Sequence, residues 1–88
     1  MPEIVVYTKP YCPYCHDAKA LLKQKNAAFV EIDVSRDRDA FDAMVRKSGG
    51  RVTVPQIFIG AAHVGGCDDL YALDARGGLD PLLREPAA

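Results

Sequence analysis

The chain has no tryptophan, no internal repeat, no low-complexity stretch and no excess of either charge. Eleven Lys+Arg against twelve Asp+Glu leave a formal charge of −1, which removes the electrostatic case for nucleic acid, since that normally needs a basic domain or stripe. No apolar run approaches the roughly 20 residues of a membrane span, so no membrane partner is expected. Met1-Pro2-Glu3 followed by Ile4-Val5-Val6 has neither a basic leader nor a full apolar segment, and no signal peptide is expected. Cysteine is scarce too. Three cysteines are too few, and odd in number, for a disulfide-stapled secreted scaffold. In a reducing cytoplasm, the expected location, they serve redox chemistry, a metal or packing.

What remains is ordinary globular material. Eighty-eight residues, 49% hydrophobic and 26% charged, suit one domain over 1–88 with a well-filled core. Glu3–Thr8, rich in β-branched residues and too short for a helix, reads as a strand buried on both faces. From Pro13 to about Lys25 the pattern is helical, with Ala18, Leu21 and Leu22 inward and Asn26 as a stop. Ala28–Asp33 is a second strand. Ser35 is expected to cap a helix over Asp37–Lys47 that presents Phe41, Met44 and Val45 on one face and ends at Gly49-Gly50. Thr53-Val54-Pro55 opens a third strand, Gln56–Ile59, which Gly60-Ala61 turns into a fourth, Ala62–Val64. Helices follow over Asp68–Ala75 and Asp80–Arg84, and Glu85–Ala88 reads as a frayed end. The order β-α-β-α-β-β-α-α predicts an α/β, thioredoxin-like fold: a four-stranded mixed sheet flanked by helices on both faces, its first two strands parallel and its last two antiparallel.

Cys12-Pro13-Tyr14-Cys15 falls where the first strand gives way to the first helix. Pro13 suits the first helical position, where its missing N–H costs nothing. Cys12 then sits at the helix N-terminus, whose unpaired N–H groups and dipole stabilise a thiolate, the nucleophilic form of the side chain. Lys9, three residues upstream, can add positive charge beside it. Cys15 lies one turn on, close enough for a disulfide and more buried, which suits a resolving thiol. Two core cysteines at helical spacing remain an alternative. A four-ligand zinc site would have to draw on Cys67, His16 and His63, which have no recognised zinc spacing, so no metal is expected.

Thr53-Val54-Pro55 and Gly65-Gly66-Cys67-Asp68-Asp69 suggest binding. A cis proline before a strand leaves the preceding backbone free to pair with an extended peptide. Glycines before a helix start allow close approach, free N–H groups take a carboxylate, and an adjacent Asp accepts an ammonium. Together these features suit the zwitterionic head of an amino acid, against the simpler reading of two turn glycines with Asp68 as an ordinary cap.

These three motifs, in this order and spacing, resemble a dithiol glutaredoxin, and Leu70–Leu79 is similar to the bacterial glutaredoxin 3 type; the likeness extends to about Leu83. The resemblance implies reduction of protein disulfides and of glutathione mixed disulfides. Glutathione serves as reductant and co-substrate, and no cofactor is tightly bound. It makes Cys12 the nucleophile and Cys15 the resolving thiol. Val54, before the cis Pro55, pairs with the cysteinyl part of glutathione. Gly66, Cys67 and Asp68 hold the γ-glutamyl head, and Lys9, Tyr14 and Thr53 lie toward the glycine carboxylate. Arg51 is a looser candidate, and Gly49–Val52 has no other assignable feature.

Cys67 reads as packing beside this site or as a regulatory thiol. His16 points about 100° away from Cys15 on the helix and reads as a surface side chain, as does His63 on a short edge strand; Tyr7 reads as packing. Two other readings compete: a thioredoxin-like reductase, disfavoured by the missing tryptophan before the motif, and a glutathione-bridged iron–sulfur carrier using Cys12 alone. Without a heptad seam, a monomer is expected.

Overall fold

A computed structural model describes residues 1–86; Ala87 and Ala88, part of the end expected to fray, lie outside the described residues. Eight elements follow one another: β1 (Ile4–Thr8), α1 (Pro13–Gln24), β2 (Val30–Asp33), α2 (Arg38–Lys47), β3 (Gln56–Ile59), β4 (Ala62–Gly65), α3 (Cys67–Ala75) and α4 (Leu79–Leu83). The sheet order is β2-β1-β3-β4. β1 runs parallel to β2 and antiparallel to β3, and β3 is antiparallel to β4. The α/β, thioredoxin-like arrangement expected from the pattern is the one observed.

Side-chain alternation along β1 and β3 divides the interior in two. Ile4, Val6, Ile57 and Ile59 meet Ala18, Leu21 and Leu22 of α1, Leu70 of α3, and Leu79 and Leu83 of α4. On the opposite face Tyr7 packs with Met44 of α2, alongside Val5, Phe41, Val45 and Phe58. β1 is therefore buried from both sides. β2, at the sheet edge, is not, and Val30 stands half exposed.

The helix boundaries have local causes. α1, α2 and α3 each end in one left-handed residue, Asn26 (φ 57°), Gly49 (φ 73°) and Gly77 (φ 78°). In each, the next N–H reaches back across the last turn: Ala27 to Leu22 O at 2.9 Å, Gly50 to Val45 O at 2.8 Å and Gly78 to Leu73 O at 2.9 Å. The start of α2 corrects one expectation. Asp37, not Ser35, is the cap, its Oδ1 accepting the Ala40 N–H at 2.9 Å. Ser35 is engaged earlier, its N–H donating to Asp33 Oδ1 at 2.8 Å in an Asx turn. The Lys25 ammonium joins Asp74 at 2.9 Å and Asp80 at 3.0 Å, tying the end of α1 to α3 and α4. β4 runs in the same direction as β1, so α1 and α3, which follow them, start at the same end of the sheet. Among the described residues no helix is long and apolar enough to cross a membrane.

Candidate active site

The dithiol is built by the start of α1. Cys12 keeps extended backbone (φ −114°, ψ 104°) and caps the helix with its sulfur, which accepts the Cys15 N–H at 3.1 Å. A sulfur held on the free N–H groups of a helix start carries negative charge favourably. The Cys12 thiol also donates to the Val54 carbonyl at 3.7 Å. All three cysteines are free thiols.

Exposure separates the two sulfurs of the motif: Cys12 retains 9% of its surface and Cys15 none. Burial first, then the hydrogen bond from Cys12, push the Cys15 thiol up to about 12, with the Lys9 backbone pulling weakly the other way. Burial also raises the Cys67 thiol, and the carboxylates of Asp17 and Asp68 add to the rise. Both therefore stay protonated at neutral pH, and alkylation follows the thiolate. Brief treatment with iodoacetamide at pH 7 should label Cys12 alone, and Cys15 should react only on unfolding or as the pH rises toward 12. Peptide mass spectrometry finding label on Cys15 to a similar extent would contradict this assignment.

A groove of about 290 Å³ opens beside the dithiol. One wall is the loop entering β3, Thr53-Val54-Pro55, with a cis Val54–Pro55 bond. The other is the start of α3 from Gly66 to Asp69, and Tyr14 of α1 and Arg51 complete the lining. The first bond within α3 is Leu70 N–H to Gly66 O at 3.0 Å, so the amides of Cys67 and Asp68 have no acceptor inside their own helix. Free N–H groups at a helix start thus share the groove with Val54, whose carbonyl takes the Cys12 thiol.

A glutaredoxin family model matches residues 4–64. The chain belongs to the glutaredoxin family. Glutaredoxins are glutathione-dependent thiol–disulfide oxidoreductases, and this chain is one, with glutathione as its reductant. It is 58% identical over 84 residues to glutaredoxin 3 of Escherichia coli K12, covering 96% of this chain and all of the relative. The solution structure of a Brucella melitensis glutaredoxin superposes with a TM-score of 0.83 at 56% identity, over 96% of this chain and 90% of that one. A buckwheat glutaredoxin–glutathione complex gives 0.83 at 35% identity, over 93% and 76%.

Nine of the ten residues singled out in the sequence lie at the dithiol or line the groove of this glutaredoxin: Cys12, Cys15, Tyr14, Thr53, Val54, Pro55, Gly66, Cys67 and Asp68. Lys9 does not line it; its ammonium stands 6.0 Å from the centre of the Phe41 ring, against α2. Arg51, the looser candidate, does. Its guanidinium meets Asp69 Oδ2 at 3.4 Å, and that oxygen accepts the Gly66 N–H at 2.8 Å. The amide and Arg51 hold the Asp69 carboxyl below the usual range. Asp69 was missed as a separate residue, although an acidic side chain three positions after a helix cap is a capping signature legible in sequence. Gly65 (φ 114°) completes this corner: a Cβ there would land on the Asp69 carboxylate. His16 is exposed, as expected, and Tyr7 is core. His63 is exposed by area but not idle, since its ring stacks on Phe58.

Proposed function

We propose that glutathione lies extended in this groove. Its γ-glutamyl carboxylate faces the Gly66 and Cys67 end of α3, its ammonium meets Asp68, and its cysteinyl backbone pairs with Val54. Its glycine carboxylate points toward Tyr14, Thr53 and the guanidinium of Arg51. The observation that carries this reading is the double use of Val54, which lines the groove while its carbonyl takes the Cys12 thiol at 3.7 Å. A peptide paired with Val54 brings its own sulfur beside Cys12.

For a glutathionylated protein, the Cys12 thiolate attacks the glutathione sulfur, the Cys12–glutathione bond forms, and the protein thiolate leaves and takes a proton. A second glutathione thiolate then attacks the bound glutathione sulfur, giving oxidised glutathione and free Cys12. For a protein disulfide, Cys12 forms the mixed disulfide and releases one thiol. Cys15 then attacks the Cys12 sulfur and releases the other, and two glutathiones reduce the Cys12–Cys15 bridge. Capture of Cys12 in a mixed disulfide removes two of the influences that raise the Cys15 thiol, its hydrogen bond and its charge. The resolving thiol is thus easier to ionise after the first step than before it.

Disulfide-bearing and glutathionylated proteins are the substrates in this reading, the protein works as a monomer in the cytoplasm, and no cofactor is tightly held. Asp68→Ala should raise the KM for glutathione about threefold to tenfold, a charged hydrogen bond weakened by exposure, and leave kcat near wild type. Coupled turnover with NADPH and glutathione reductase measures both constants, and an unchanged KM would take Asp68 out of the site.

A further inference from the structure

Gln56 is the one fully buried carboxamide beside the groove, with no exposed surface. Its Nε2 donates to Thr53 O at 3.1 Å and Thr53 Oγ1 at 3.2 Å, and its Oε1 lies 2.8 Å from His63 Nε2. The two Thr53 acceptors orient the amide: its NH2 faces the loop, so its oxygen faces the histidine. An oxygen can only accept, so His63 must carry its proton on Nε2.

The sheet makes this contact possible. Phe58 is opposite His63 while Ile57 is opposite Gly65, so the register slips by one residue at Val64. A bulge of this kind re-aims the side chains around it. His63 lies flat on Phe58, ring centres 4.8 Å apart and 26° from parallel, and Phe58 is in turn braced edge-on by Tyr7 at 5.8 Å. With its ring plane held, the imidazole presents its edge to Gln56, two residues along the same face of β3 from Phe58.

We propose that Gln56 and His63 are positioning residues for glutathione. Neither lines the groove. Gln56 holds the carbonyl and hydroxyl of Thr53, which fixes the backbone leading into Val54, and His63 holds Gln56. The inference rests on the reading that glutathione pairs with Val54, and it adds that a two-residue chain running from the β4 edge sets the geometry of that pairing.

The test uses the full chain. Binding of unreactive S-methylglutathione to wild type is followed first, through the backbone amide resonances. Shifts of the Val54 and Cys67 amides support the groove reading; their absence overturns that reading, and the present proposal with it. With the shifts seen, Gln56→Met should raise the KM for the mixed disulfide of glutathione and β-mercaptoethanol about tenfold, the loss of one to two hydrogen bonds. Its kcat and the rate of Cys12 alkylation by iodoacetamide, which does not need the groove, should stay within about twofold of wild type. His63→Phe keeps the stack on Phe58 and loses the donor, and should raise KM about threefold. His63→Gln, whose amide can donate to Gln56, should restore it. This exposed pair decides the matter if Gln56→Met fails to fold. Unchanged KM in His63→Phe, or a His63 ring protonated on Nδ1 by nitrogen NMR at pH 7.5, overturns the proposal while leaving the groove reading intact.

Discussion

Cys12→Ser should abolish reduction of every disulfide substrate, lowering turnover by about three orders of magnitude or more, because a serine hydroxyl is un-ionised at neutral pH and cannot replace the attacking thiolate. Cys15→Ser should behave differently. It should keep reduction of glutathione mixed disulfides, where a second glutathione releases Cys12, and lose most reduction of protein disulfides, where resolution from within the helix is required. The structural basis is the contrast between the sulfurs. Cys12 caps α1 and retains some surface, whereas Cys15 is fully enclosed, with its thiol pushed up to about 12. The coupled glutathione assay on wild type and both variants measures the asymmetry. Loss of mixed-disulfide reduction in Cys15→Ser alone would contradict the two-route mechanism.

The second large effect is on stability. Leu70 has no exposed surface and carries the inward face of α3 into the cluster formed by α1, β1 and β3. Leu70→Ala should destabilise the fold by about 2–5 kcal/mol, combining lost transfer energy with the cavity left behind. A domain of this size is stable by only about 4–13 kcal/mol, so the loss should lower Tm by roughly 10–40 °C. Because α3 also supplies the Gly66–Asp68 wall of the groove, KM for glutathione should rise in the same variant while Cys12 alkylation stays near normal. Calorimetry showing a Tm within a few degrees of wild type would mean that α3 is anchored elsewhere, for example through the Lys25 pairs with Asp74 and Asp80.

Leu70 also shows how much of the fold is legible in the sequence. Its place in the helical stretch Asp68–Ala75, the short apolar strand Gln56–Ile59 after Thr53-Val54-Pro55, and the placement of Asn26 and Gly49 after helical segments are local signals. Each acts through neighbours within about one turn or one strand pair. The motif Cys12-Pro13-Tyr14-Cys15 was legible for the same reason, since proline and a capping side chain mark a helix start wherever it is placed. Ser35 misled because two capping candidates stood two residues apart, and the choice between them depended on the turn made by Asp33.

The elements, their order, the reactive pair and the two segments that approach it are legible in the sequence alone, all consequences of short-range sterics, hydrogen bonding and hydrophobic period. Tertiary structure decided what depends on residues far apart in the chain. It set Lys9 against Phe41 rather than in the groove, joined Arg51 to Asp69, and linked His63 through Gln56 to Thr53 across a register slip. Burial and pairing between distant segments are properties of the packed sheet and helices, and no local pattern encodes them.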